Sequence, residues 1–271
     1  MRLCAIYIVW DDWDMFLHSY RNIIKLVDGV ILIGSEFSNF GERSYLPGFW
    51  HSPSGPESFK FEPDLKLSPQ ENERAKRNYG LQRARESGYT HFIMMDADEF
   101  YEAEPFLKEK ERFKNPDLLG LVCGLKCYFK SPNLSAPDGT LVPFIHKITP
   151  QLKFEWNTRY PFAFEGFKRD IRIDPTRQMN INNGVEWSEI TMHHMSWVRK
   201  DIQKKIRNST ARVNIEKSTI VQDYLNAAPG YYCEFYKSKL VACENIFNIP
   251  DITDESAGSE FTTPGGHSVT N

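Results

Sequence analysis

HFIMMDADEFYEAE, residues 91–104, runs four apolar side chains directly into three carboxylates within four positions. A short apolar run of this kind predicts a strand buried on both faces. A solvated loop accounts for some acid, but not easily for acid at the mouth of a core strand. Residues i and i+2 of a strand point to the same side. Asp96 and Asp98 therefore leave the strand end with their carboxylates together, and Glu99 follows at once. Neighbouring carboxylates repel each other unless positive charge stands between them. A divalent metal meets that need, and hard oxygen donors favour Mg²⁺, Mn²⁺ or Ca²⁺ over zinc. Two carboxylates leave an octahedral shell incomplete, and water and substrate phosphates usually supply the rest. The plainer alternative is an acidic cap on a helix start.

Outward from this stretch, the same strand pattern recurs. LCAIYIVW (3–10) and GVILIGS (29–35) are compact apolar runs, and MFLHSYRNIIKLV between them has helical spacing. Strand, helix, strand predicts an α/β fold with a mostly parallel central sheet flanked by helices. Such sheets bind ligands beyond the carboxyl ends of their strands. SPQENERAKRNYGLQRARESGY (68–89) predicts a helix with Ser68 as N-cap, Pro69 at the first position and Glu71 completing a capping box. Residues 36–68 predict a long excursion with little regular structure. Residues 104–114 predict a helix, 118–130 a strand, SPNLSAPDGT (131–140) a turn, and 141–150 and 151–156 short strands. Residues 185–197 predict another strand, 199–225 a helix, and GYYCEFYKSKLVACENIF a small terminal helix. The polar final residues, 251–271, predict a loosely ordered tail.

Composition narrows the classes. The chain has 271 residues, enough for a substantial core. Its formal net charge of −3 gives no reason to expect nucleic acid as a partner. No apolar run reaches the roughly 18 residues of a transmembrane helix. The N-terminus reads as a strand and not as a signal peptide. Five cysteines form an odd, sparse set, which suggests reduced thiols and a cytoplasmic location. There is no GxGxxG, no GxxxxGK[ST], no GxSxG and no HExxH. Downstream, TMHHMSWVRK (191–200) places His193 and His194 side by side. On a strand they face opposite ways, so regular geometry brings at most one of them to a metal. The basic run Arg199, Lys200, Lys204, Lys205, Arg207 suits a solvated face, with one or two members able to reach a diphosphate.

The order of these motifs resembles the metal-dependent glycosyltransferases of the GT-A fold, especially the family 2-like group. The likeness rests on Arg77-Asn78 in a helix, the strand ending in Asp96-Ala97-Asp98 with the phrase DADEF, and His194-Met195-Ser196-Trp197-Val198-Arg199. It covers about residues 1–210. The resemblance implies a catalytic domain over 1–210, with a nucleotide-sugar half near 1–100 and an acceptor half near 118–197. A helical extension would then span 211–250. It implies Mn²⁺ or Mg²⁺ holding the diphosphate of a nucleotide sugar. Asp98 would be the direct ligand, Asp96 would touch the ribose or coordinate through water, and His194 would be the second ligand with His193 as substitute. Ile8, Trp10, Asp12, Arg74, Arg77, Asn78, Ala97 and Arg199 would border the donor. Family frequency favours a UDP-sugar, a glycan or other hydroxyl acceptor, and inversion.

An inverting transfer needs a carboxylate to take the acceptor proton. Glu165, set among FAF and GF, lies in apolar surroundings that would raise its pKa, and Glu186 beside Trp187 is the second choice. Two other classes compete. A metal-dependent phosphohydrolase or nucleotidyltransferase would use the same metal–phosphate physics. A carbohydrate-binding protein of the same fold without turnover is the other.

Overall fold

The structure, a computed structural model, describes residues 1–44, 55–160, 172–211 and 219–250. The tail beyond residue 250 and Glu165 lie outside the described residues.

β1 (Leu3–Val9) is fully apolar and buried apart from Ile8 because it lies inside the sheet, between β2 (Gly29–Gly34) and β4 (His91–Asp96). Both neighbours run parallel to it, with Cys4 opposite Gly29 and Ile8 opposite Asp96. β3 (Glu57–Lys60) extends the parallel half at one edge. Beyond β4 the sheet becomes mixed. β7 (Ser131–Lys147) runs antiparallel to β4 and to β6 (Gly120–Phe129), while β9 (Val185–Trp197) runs parallel to β6. The strand order is β3-β2-β1-β4-β7-β6-β9-β5, with β5 (Glu99–Phe100) antiparallel to β9. β8 (Arg172–Ile173) pairs alongside β7. This is the expected α/β architecture, with parallel pairing concentrated in its N-terminal half.

Alternation along β1 divides the core. Leu3, Ala5, Tyr7 and Val9 face α1 (Trp13–Ile23) and α3 (Ala103–Glu111), meeting Phe16 and Phe106. Cys4 and Ile6 face α2 (Pro69–Glu86), meeting Leu81 and Ala84. α2 starts as the sequence predicts: Ser68 accepts from Glu71 N, Glu71 accepts from Ser68 N, and Pro69 opens the helix. Gly80 lets it lie flat on the sheet, because a Cβ there would sit 2.5 Å from Ile6 Cγ2 and 3.1 Å from Ile33 Cγ1.

Several expectations differ: β3 falls within the excursion expected over 36–68, and the helix expected over 199–225 stops at Asn208, with Ser209 extended. Residues 131–140 are not a turn but the first half of β7, where backbone pairing to β6 overrides the Pro, Asn and Gly content. Residues 151–156 contribute only an isolated bridge, Phe154 to Met179. The terminal segment is not helical. After α4 (Ile202–Asn208) and α5 (Ile220–Asn226) come β10 (Tyr232–Cys233) and β11 (Ser238–Lys239), an antiparallel pair, and β12 (Val241–Ala242) on β7. Trp197, Phe129, Phe235 and Tyr236 pack together there, which explains the aromatic content of that stretch.

Candidate active site

The carboxyl ends of β1 and β4, the C-terminal half of β9 and the start of α4 converge on a cleft of about 860 Å³. The acidic stretch reaches it because the chain after β4 is knitted to β9. Met195 N donates to Asp98 O (2.7 Å), and Glu99 pairs with His194 in register. That pairing carries His194 across nearly a hundred residues to Asp98. His194 Nε2 lies 3.3 Å from Asp98 Oδ1. Its neighbour His193 points to the other side of the strand, where its Nδ1 meets the Tyr128 hydroxyl (2.8 Å) and its ring packs on Phe247. His193 is therefore not placed to serve as the substitute ligand.

The charges are organised around two carboxylates. Asp98 is buried, with its Oδ2 held by Arg199 and 3.4 Å from Lys205 Nζ. Burial alone would raise its pKa, but Lys205 and His194 hold it well below the carboxylate range. Burial likewise opposes charge on His194, and the adjoining Asp98 carboxylate outweighs it, holding the imidazole proton well above the ordinary value. Arg199 also reaches Asp12 and donates from Nε to Ser196 O (2.6 Å). Lys204 pairs with Asp11 (2.8 Å) and lies over the Trp10 ring (5.3 Å).

Asp96 faces a different set. Its Oδ2 accepts from Arg177 Nη2 (2.5 Å), and its Oδ1 is 3.5 Å from Arg77 Nη2. Arg177 also grips Glu99 and lies 3.3 Å from Asp174. Glu99, fully buried, is pushed up to about 7 by burial, against the pull of Arg177. Nothing in the pattern DPTRQM around Arg177 singles it out. Only the fold brings it under β4. Lys76 Nζ donates to Val9 O (2.7 Å) at the floor of the cleft, and burial lowers its pKa to about 7.

Of the donor-bordering residues, Ile8, Trp10, Asp12, Asp96, Ala97 and Arg199 line the cleft. Arg77 is fully buried behind Asp96, with Glu73 as its second partner (2.6 Å). Asn78 turns elsewhere, clamping the Phe154 backbone with both ends of its amide (2.7 and 2.9 Å). Arg74, on the same helix, is absent from the lining. Glu186 also lies outside it, half exposed and paired with Arg112 at 2.5 Å, so its position does not suit a base.

Among the described residues, the donors that fit a metal are Asp98 and His194. Asp98 Oδ1 is a buried carboxylate oxygen with no hydrogen-bond partner, facing His194 Nε2. Asp96 has both oxygens committed to arginines. Among the described residues no group of three His, Cys, Asp or Glu side chains converges to hold an ion. Asp98 and His194 fit as two protein donors, with water and ligand phosphates completing the shell. Binding there requires His194 to release its proton.

No family model and no curated protein matches the chain. Two solved structures share part of the backbone arrangement. One, of S. aureus TarS, is 15% identical over 54% of this chain and 28% of its own, with a TM-score of 0.36. The other, of S. aureus TarS 1-349, is 12% identical over 83% of this chain and 71% of its own, with a TM-score of 0.39. The chain thus spans little more than a quarter of the first TarS structure. These likenesses are distant, and the functional reading rests on the side chains of the cleft.

Proposed function

We propose that the chain is a metal-dependent glycosyltransferase. It would move a sugar from a nucleotide-diphosphate sugar, with UDP favoured, to a hydroxyl of a glycan or related acceptor, with inversion. The observation that carries this is the buried Asp98 Oδ1 set 3.3 Å from His194 Nε2 without a hydrogen bond, rimmed by Arg199, Lys204 and Lys205 at the carboxyl ends of parallel strands. A cleft that sets Arg199, Lys204 and Lys205 beside a buried carboxylate and an imidazole offers fixed positive charge to a diphosphate, which a neutral ligand would not use. A bound Mn²⁺ or Mg²⁺ would supply Lewis-acid stabilisation of the departing phosphate charge. Asp98 and His194 would hold it. Arg199, Lys204 and Lys205 would bind the phosphates, and the Trp10 face would border the nucleoside. Asp96, with its oxygens on Arg177 and Arg77, would touch the donor ribose and not ligate directly.

The alternatives use fewer of these features. A two-metal hydrolase needs more converging donors than the described residues provide. A cytoplasmic site of action is part of the proposal, and no described helix is long and apolar enough to cross a membrane. The test is a thermal-shift screen of UDP, GDP, dTDP and CMP sugars with and without Mn²⁺ or Mg²⁺. A ligand of the folded state raises the midpoint. A metal-dependent rise with one nucleotide is expected. No rise with any pair would remove the reading.

A further inference from the structure

Nine carboxylates line the cleft, and seven of them are in ion pairs. The two without a cation among the described residues are Asp138 and Asp201. Asp201 is exposed and caps α4, accepting from Lys204 N at 2.8 Å, so it belongs to the phosphate rim. Asp138 is different. It is half-buried on β7 and lines the cleft, and its one hydrogen bond among the described residues is from Thr140 N to Oδ1 (2.8 Å), with none to Oδ2. Leu125, Val142 and Ile173 line the same wall.

The strand register fixes where Asp138 stands relative to the metal donors. Leu125 on β6 is opposite both Asp138 on β7 and Met192 on β9, and Cys127 is opposite both Ala136 and His194. Asp138 and His194 therefore share the cleft face, two strands and one two-residue step apart. At ordinary strand spacing and rise that separates their Cα atoms by roughly 12 Å. The gap leaves room for a sugar ring and an attacking hydroxyl between the diphosphate end and Asp138. A base opposite the leaving group is what inversion requires.

We propose that Asp138 is the general base of the transfer, an assignment that rests on the sugar-transfer reading above. Its carboxylate takes the proton of the acceptor hydroxyl as the acceptor oxygen bonds to the anomeric carbon. The bond from that carbon to the donor's phosphate oxygen breaks, and its electron pair leaves with the diphosphate. Glu165 remains the competing choice from sequence.

The test uses the full chain with Mn²⁺ and UDP-glucose, UDP-galactose and UDP-N-acetylglucosamine. UDP release is followed with water or alkyl glycosides as acceptor, and UDP affinity by calorimetry. Asp138→Asn is expected to slow release about 100-fold or more, as loss of a general base does, with UDP affinity unchanged. Formate is expected to restore part of the rate in Asp138→Ala. Release within threefold of wild type in Asp138→Asn overturns the assignment, as does an equal loss of UDP affinity. So does a loss confined to Glu165→Gln. If the wild-type chain binds UDP with Mn²⁺ yet never releases it from a donor, the transfer reading falls, and the role of Asp138 with it.

Discussion

Asp98 and Arg177 show how differently two charged residues within one cleft are used. Asp98 keeps one oxygen on Arg199 and Lys205 and turns the other to His194 at 3.3 Å, with no hydrogen bond to it. Asp98→Asn should remove metal-dependent UDP binding by two orders of magnitude or more while leaving the far-ultraviolet spectrum unchanged. Calorimetry with and without Mn²⁺ measures this. Arg177 has no free donor role, since it neutralises Asp96, Glu99 and Asp174 together. Removing one partner of a buried ion pair typically costs about 3–5 kcal/mol, because the other charge stays buried. Arg177→Met should lose about that much in urea unfolding, and adding Glu99→Gln should restore part of it. A loss below about 1 kcal/mol would mean that Arg177 is not the clamp described. The sequence marks Asp96 and Asp98 through their place after an apolar run. Arg177 and Asp138 carry no such mark, because each reaches the cleft only through long-range pairing.

At the scale of elements, local signals were the readable ones. The capping box of α2, the apolar runs of β1, β2 and β4, and the alternation of β9 all depend on neighbours in sequence. Residues 131–140 misled because Pro132, Pro137 and Gly139 read as a turn, whereas the partner strand β6 supplies the hydrogen bonds that hold them extended. The pairing of β5 with β9 is equally invisible locally, yet it sets the Asp98–His194 contact. The contact of α2 with β1 and β2 offers a direct probe. Gly80→Ala would press a methyl group into Ile6 and Ile33, and overpacking of this kind costs about 1–3 kcal/mol. Urea unfolding should show that loss, with UDP affinity preserved if the sheet does not shift. An unchanged midpoint would indicate that the helix can move away.

For the whole molecule, buried histidines predict the pH response. His146 and His91 are buried, and burial lowers their pKa values to about 3 and about 4. Below their ordinary value near 6.5, the unfolded chain takes up protons that the fold refuses. Stability should therefore fall as pH drops from about 6.5 towards 4, by up to about 1.4 kcal/mol per pH unit for each histidine. Lys76 acts at the other end: with its folded value at about 7, stability rises with pH between about 7 and 10.5. Urea midpoints should rise with pH between about 5 and 6.5, where the two lowered histidines outweigh the opposite pull of Glu99, whose raised value makes the fold lose stability as pH rises towards 7, and His146→Leu should flatten the slope. A flat wild-type profile would contradict the placement of these groups. All five cysteines are free thiols, four of them buried.

Mn²⁺ titration followed by electron paramagnetic resonance, with UDP present, reads the cleft most directly. The wild-type chain should remove free Mn²⁺ from solution with a stoichiometry of about one, more tightly as pH rises and His194 gives up its proton. Asp98→Asn should leave the Mn²⁺ signal at its protein-free level. Equal Mn²⁺ uptake by wild type and Asp98→Asn, or none by either, would contradict a metal–diphosphate site at the end of HFIMMDADEF.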